Sequence, residues 1–339
     1  MKKMMTILLI IVLTVSVTGC KGKTKNNIMD IVEKTPQQDI KRNEDASEFT
    51  REILIEDERI KTPTDIACDD DCMYVVCNEG NEILKIDYDG NIVDGYGKIG
   101  QGEGEFTNPY KIAISDQYIY VIEDSARRIQ VFDKAFQYIK SVDLSELKLE
   151  YYGDKPIAFD LAVDSKENLY ITVYANYLQE KQKVYIIDPE GNISSFGERL
   201  LGYMCPFKED MLYVHAMNPY QKHAGTTKLG NYFLGKIHNG EMKLFSNLVK
   251  DYGANTICVD DKNIYIYSGL YNQLDQYDEN GNYIKTLYSE YIDMKAVNGV
   301  YNFEDWRLLD AHMDKRENAF YFVNSDVMGK HNDAVYVLK

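Results

Sequence analysis

Gly100-Gln101-Gly102-Glu103-Gly104-Glu105-Phe106-Thr107-Asn108-Pro109, then Ile112-Ala113-Ile114, Ile119-Tyr120-Val121-Ile122 and Ile129-Gln130-Val131-Phe132-Asp133, is the stretch on which the fold turns. Its apolar runs are of strand length, and a glycine-rich link or a polar turn bounds each one. The Ile119–Ile122 run recurs along the chain. Met73-Tyr74-Val75-Val76, Leu169-Tyr170-Ile171-Thr172, Leu212-Tyr213-Val214-His215, Ile264-Tyr265-Ile266-Tyr267 and Phe320-Tyr321-Phe322-Val323 carry the same tyrosine in the same place. Successive tyrosines lie 46, 50, 43, 52 and 56 residues apart. A period of about 40–50 residues holding several short strands is that of propeller blades. Residues 62–339 divide into six units of about 46 residues with nothing left over.

Within each unit the strands keep one order. In the first, Asp65-Ile66-Ala67-Cys68 is the inner strand, Asp69-Asp70-Asp71 turns into the tyrosine strand, and Glu79-Gly80-Asn81 leads to Ile83–Asp87. Asp89-Gly90-Asn91 then closes a hairpin to a fourth strand, as Pro189-Glu190-Gly191-Asn192 and Glu279-Asn280-Gly281-Asn282 do in the third and fifth units. The sixth unit ends on its third strand, Ala334–Lys339, and Glu52-Ile53-Leu54-Ile55-Glu56 is available to supply its fourth. The expected fold is all-β: a six-bladed β-propeller of four-stranded antiparallel blades, its ring closed by an N-terminal strand so that no edge stays open.

The stretch from Gly100 to Asp133, with Phe106, Pro109, "IYV" and "RIQVFD", resembles an NHL repeat. The chain as a whole resembles the NHL-like and TolB-like six-bladed propeller lipoproteins over about 280 residues. That resemblance implies a fold. It implies no single activity, since propellers host binding proteins, lactonases and lyases alike.

Of 339 residues, 45% are hydrophobic, enough for a sizeable core, and 28 are tyrosines, which favour strands. Lys2 and Lys3 precede an uncharged run, Thr6 to Gly19, too short to span a bilayer and suited to a signal peptide. Val17-Thr18-Gly19-Cys20 is similar to the lipobox of bacterial lipoproteins. The expected organisation is a signal peptide over 1–19, a lipidated Cys20 with a flexible polar tether to residue 48, and a propeller over 49–339. The mature protein would be held by acyl chains to a membrane of the cell envelope, on its extracytoplasmic side, as a monomer. Cleavage would leave 36 basic residues against 54 acids, a net charge of −18. That charge excludes nucleic acid and favours cationic partners. Cys68, Cys72, Cys77, Cys205 and Cys258 remain, an odd number implying no disulfide framework, although Cys68 and Cys72 could pair across a hairpin.

In a propeller the link between blades and the loop after the second strand emerge on the same face. That face gathers Asp65, Lys111, Asp160, Thr256 and Asp310 from inner-strand starts, and Glu79, Glu123, Asp124, Asn176, His215 and Asn324 from the second loops or beside them, with Tyr174 and Tyr177 near the long loop after His215. Asp65, Asp160 and Asp310 would ring the channel mouth and hold a hard cation such as Ca²⁺ through oxygen ligands. The competing reading is that each aspartate caps its own turn or pairs with backbone amides at a strand start. His215 and His312 would face the channel. The Met217–Asn231 loop, with Tyr220, is the longest insertion and would form an aromatic, polar-edged surface. Gly95-Tyr96-Gly97-Lys98-Ile99-Gly100 matches GxGxxG but opens no helix, and its glycines read as a tight crossing between blades. No nucleophile stands in a GxSxG context. The expected function is recognition of a protein, peptide or carbohydrate on the channel-mouth face. The alternative is a metal-dependent hydrolase or lyase, of lactonase or amidating-lyase type, using the central channel.

Overall fold

A computed structural model describes Ile28, Val32 and residues 46–123, 128–144, 147, 157–174, 182–215, 232–248, 254–268, 273–289, 311–324 and 333–339. Strand β1 (Arg51–Glu56) comes first and belongs to the last blade. Blade 1 holds β2 (Pro63–Cys68), β3 (Cys72–Cys77), β4 (Glu82–Asp87) and β5 (Ile92–Tyr96). Blade 2 holds β6 (Pro109–Ile114), β7 (Tyr118–Glu123), β8 (Arg128–Asp133) and β9 (Tyr138–Asp143). In blade 3 these are β10 (Ile157–Val163), β11 (Leu169–Tyr174), β12 (Val184–Ile187) and β13 (Ile193–Phe196). Blade 4 follows with β14 (Gly202–Phe207), β15 (Asp210–His215), β16 (Phe233–His238) and β17 (Glu241–Asn247). Blade 5 is β18 (Ala254–Val259), β19 (Asn263–Ser268), β20 (Gln273–Asp278) and β21 (Tyr283–Ser289). Blade 6 is β22 (Ala311–Arg316), β23 (Ala319–Asn324) and β24 (Ala334–Leu338), and β1 pairs antiparallel with β24 as its outer strand.

Each sheet has four antiparallel strands. The inner strands touch in sequence, β2 to β6, β10, β14, β18 and β22, and β22 returns to β2. This is the six-bladed propeller, with the ring closed by the N-terminal strand. Its core lies in the seams between blades, where facing sheets bury Val75, Val121, Ile171, Val214, Ile266 and Phe322.

The repeated tyrosine earns its position twice. Its ring packs in a seam and lies opposite a small inner-strand residue in the first three blades: Ala67↔Tyr74, Ala113↔Tyr120 and Ala162↔Tyr170. In blades 1, 3 and 5 its hydroxyl reaches the turn between first and second strands. Tyr74 donates to Asp69 Oδ2 at 3.0 Å, Tyr170 to Asp164 Oδ2 at 3.2 Å and Tyr265 to Asp260 Oδ2 at 2.6 Å. A buried phenol thus keeps its hydrogen bond. The hairpin signals work in the same way. Asp87, Asp188 and Asp278 accept the amides of Asn91, Asn192 and Asn282, and Gly90, Gly191 and Gly281 supply the positive φ angles of 89°, 89° and 76°.

The expected tether needs correction. Ile28 and Val32, both helical, are 8% and 0% exposed and pack with Tyr170, Leu200, Met204, Tyr213 and Phe233 in the seam of blades 3 and 4. Residues 46–48 are attached as well: the Glu48 amide donates to the Leu287 carbonyl at 3.0 Å, and the Ser289 amide to the Ala46 carbonyl at 2.9 Å. Phe49 then meets Phe320 edge-on at 5.4 Å. Composition pointed to a free linker because two apolar residues four apart suffice for one buried helical face, and a polar background hides them.

Candidate functional site

The channel mouth is built at the start of the inner strands. In four blades a β-bulge there displaces one residue: Thr64, Tyr110, Phe159 or Asn255. The next residue is re-aimed, and these are Asp65, Lys111, Asp160 and Thr256. Four of the five residues expected there from inner-strand starts therefore occupy equivalent positions. The fifth, Asp310, lies outside the described residues. Register puts His312, opposite Val323, in the matching place of blade 6, and the carboxylate of β22 is Asp314, two residues further down.

Asp65 and Asp160 pair with backbone amides of the inner strands, as the competing reading expected, and the leading partners belong to the next blade. The amide of Ile112, in the next blade, donates to Asp65 Oδ2 at 2.9 Å, and the amide of Met204 to Asp160 Oδ2 at 2.7 Å. Asp314 repeats the contact from blade 6 to blade 1, accepting the Cys68 amide at 2.7 Å. Thr256 donates to the Met313 carbonyl at 3.3 Å, and Thr172 to the Gly202 carbonyl at 2.8 Å. These side chains stitch neighbouring blades together around the axis. Sequence inspection overlooked Asp314 because Asp310 stood closer to the expected strand start. Counting back from Tyr321, which pairs with Asp314, would have found it.

The electrostatics of this belt are unusual. Asp65, Lys111 and Asp160 are 7%, 1% and 8% exposed. Burial pushes the Asp65 carboxyl up, opposed by the Lys111 charge and the Ile112 amide. Burial pushes Asp160 to about 7; Lys111 opposes the rise, and the Asp65 charge adds to it. Asp314 rises to about 6, again through burial, held back by the amides of Cys68 and Lys315 and pushed by Asp65. Asp65, Lys111 and Asp160 are thus buried together near the axis with Asp314 beside Asp65, and two of the acids change charge near neutrality. Perturbed groups gathered in a cleft are the usual mark of a functional site. Lys111 supplies the positive charge that Asp65 and Asp160 would otherwise draw from a bound cation. Among the described residues no group of three or more His, Cys, Asp or Glu side chains is arranged to hold a metal ion.

Other expected site residues have different places. Glu123 is a clasp: it accepts the Thr107 amide at 2.8 Å and pairs with Arg128 at 3.2 Å. Arg128 in turn donates to the carbonyls of Gln101, Gly102 and Glu105 at 2.9, 3.0 and 2.7 Å. The glycine-rich link is therefore pinned between blades 1 and 2. The His215 ring stacks on Phe233 of β16, the next strand out from the axis, with centroids 5.2 Å apart, and its Nδ1 meets the Tyr213 hydroxyl at 2.9 Å. Burial lowers its pKa to about 4, so it stays neutral at neutral pH. Tyr174 ends β11 opposite Ile157. Asp124, Asn176, Tyr177 and Tyr220, like Asp310, fall outside the described residues, as does the Met217–Asn231 loop. Cys68, Cys72, Cys77, Cys205 and Cys258 are all free thiols.

No protein-family model matches the chain, and no curated protein matches it. Among solved structures it is similar to regucalcin, a calcium-binding protein from Agrobacterium tumefaciens (12% identity, 86% of this chain and 93% of that one, TM-score 0.57). It is also similar to virginiamycin B lyase from Staphylococcus aureus (12% identity, 86% and 99%, TM-score 0.52). A protein provisionally named a gluconolactonase is comparable (9% identity, 86% and 92%, TM-score 0.56). At such identities the likeness is one of fold, and the narrower NHL-like and TolB-like resemblance gains no matching family model.

Proposed function

We propose that this protein is an envelope-anchored recognition module that binds a polar ligand, peptide or carbohydrate, over the mouth of its channel. One observation carries the reading: the charged belt of Asp65, Lys111 and Asp160 lies at the ring face where the longest inter-strand connections, 216–231 and 290–310, begin and end. Short, hydrogen-bonded turns close the opposite face, and loops that long are uncommon unless they serve function. A rigid scaffold with a charged belt at its axis suits recognition. Lipidation at Cys20 and an extracytoplasmic, monomeric state complete the proposal, and the acidic surface speaks against nucleic-acid partners. Glycan and peptide arrays probed with the mature protein test it. Binding that disappears when 216–231 is replaced by a short turn supports it, and binding indifferent to that replacement refutes it.

A second reading has its own observation. Asp160, titrating near 7 beside Lys111, has the character of a general acid or base. A hydrolase or lyase using the channel would rely on it, with Asp65, Asp160 and Asp310 as candidate ligands if a cation such as Ca²⁺ takes part. Proteins of similar fold include a lyase and a calcium-binding protein. Turnover of lactones or of virginiamycin B, measured with and without divalent cations, would favour this reading if Asp160→Asn abolished it.

A further inference from the structure

The N-terminal segment is fastened to the ring at three places. Ile28 and Val32 present one helical face to the seam of blades 3 and 4, where Phe196 of β13 and Met242 and Leu244 of β17 also pack. The cluster draws on inner, middle and outer strands of both blades, so the two residues are fixed to the blade 3–4 side of the ring. Residues 46–48 then pair with β21 at the edge of blade 5, and Lys285 bonds Glu48 at 2.5 Å. β1 finally joins blade 6.

We infer that this strap makes the rim at blades 3 and 4 a membrane-facing surface, held against an anionic lipid leaflet. The inference rests on the reading of Cys20 as the lipid anchor. Eight residue steps separate Cys20 from Ile28, which limits their separation to about 28 Å even when fully extended. A buried Ile28 therefore keeps the blade 3–4 side of the ring near the acyl chains, its own seam within that distance of Cys20. The opposite rim, at blades 6 and 1, lies a full ring diameter away. Lys21, Lys23 and Lys25 occupy the intervening stretch, where basic side chains are drawn to anionic head groups. The body itself is acidic and would be repelled, so a free tether would let it drift outward. The strap prevents this and turns the channel axis to one side rather than leaving it to tumble.

The test uses the full-length protein in phosphatidylglycerol-containing liposomes with a head-group quencher. A fluorescent unnatural amino acid replaces Ser195, exposed on the outer strand of blade 3, or Glu52, exposed on the outer strand of blade 6. Quenching at least twofold stronger at position 195 is expected, falling to equality in the I28D/V32D double variant. Equal quenching in the parent protein overturns the inference, and so does a difference that survives the double variant. Mass spectrometry of the Cys20 peptide separates the two claims. An unmodified Cys20 would remove the anchor and with it this orientation. Docking of the strap is then judged alone, by whether I28D/V32D lowers the melting temperature in a C20A background; an unchanged melting temperature overturns it.

Discussion

Aspartates do two opposite jobs in this molecule, one set in the turns and one around the axis. Asp87 and Asp188 sit in exposed turns, where the Asn91 or Asn192 side chain and several amides hold their carboxyls below the usual range. Asp260 is partly buried, which pushes it up, but the Tyr265 hydroxyl and the amides of Lys262 and Asn263 prevail and bring it to about 2. At the axis, Asp160 and Asp314 have desolvation as the largest influence and feel Asp65, and they move to about 7 and 6. The same side chain stabilises the fold where the backbone converges on it, and stores unfavourable charge where neighbouring blades enclose it. A turn aspartate is explained by its hairpin. An axial one joins two blades, and its raised pKa is the cost of doing so away from water.

The largest test of this contrast removes the axial cation. Lys111→Met should cost about 3–5 kcal/mol at pH 8, because two buried carboxylates lose their counter-charge. The loss should shrink at pH 5, where Asp160 is protonated, and urea denaturation at both pH values reads it. Loss of equal size at both would mean that packing, not charge, is what Lys111 contributes.

Next comes Asp160→Asn, with the opposite sign. The folded carboxyl titrates near 7 and the unfolded one near 3.9, so wild-type stability from this group is complete below about pH 4 and declines as pH rises through 7. The amide can still accept the Met204 N–H but carries no charge. A gain of about 2 kcal/mol at pH 8 that vanishes at pH 4 is expected. Asp260→Ala should lose about 1–2 kcal/mol at pH 7, since solvent replaces part of what its donors provided. This contribution is present above about pH 4 and fades as pH falls through 2, the reverse of Asp160.

The smallest effect compares two copies of one turn. Gly191→Ala meets no atom within 4 Å and should cost about 1 kcal/mol through its positive φ alone. Gly90 has the same φ, but an added Cβ would stand 2.9 Å from the Leu54 carbonyl of β1. Gly90→Ala should therefore cost more, by straining the strand that closes the ring. Thermal melts of the pair would show whether β1 is as tightly held as its pairing with β24 indicates.

Much of this was legible in the chain. The tyrosine spacing announced six blades, and the Asp-x-x-Gly-Asn hairpins and the closing strand followed from turn chemistry. Asp65, Lys111 and Asp160 were recognised as channel-mouth residues. Their contacts were not, because Asp65 accepts an amide forty-seven residues away in another blade, a relation no local pattern encodes. Glu123 looked like a ligand and proved to be a clasp, since the carbonyls its partner Arg128 gathers are brought near only by folding of the glycine link.

Sequence alone determined the repeat, the strand order, the turns and the closure, because these depend on propensities and periodicities within a few dozen residues. Tertiary structure alone decided that Asp65, Lys111 and Asp160 are buried together near the axis, that His215 is held neutral on Phe233, and that Ile28 and Val32 are part of the body. The physical reason is the same in each case. Charge, burial and hydrogen-bond supply depend on which blades become neighbours, and only ring closure brings blade 6 against blade 1 and the N-terminal segment against blades 3 and 4.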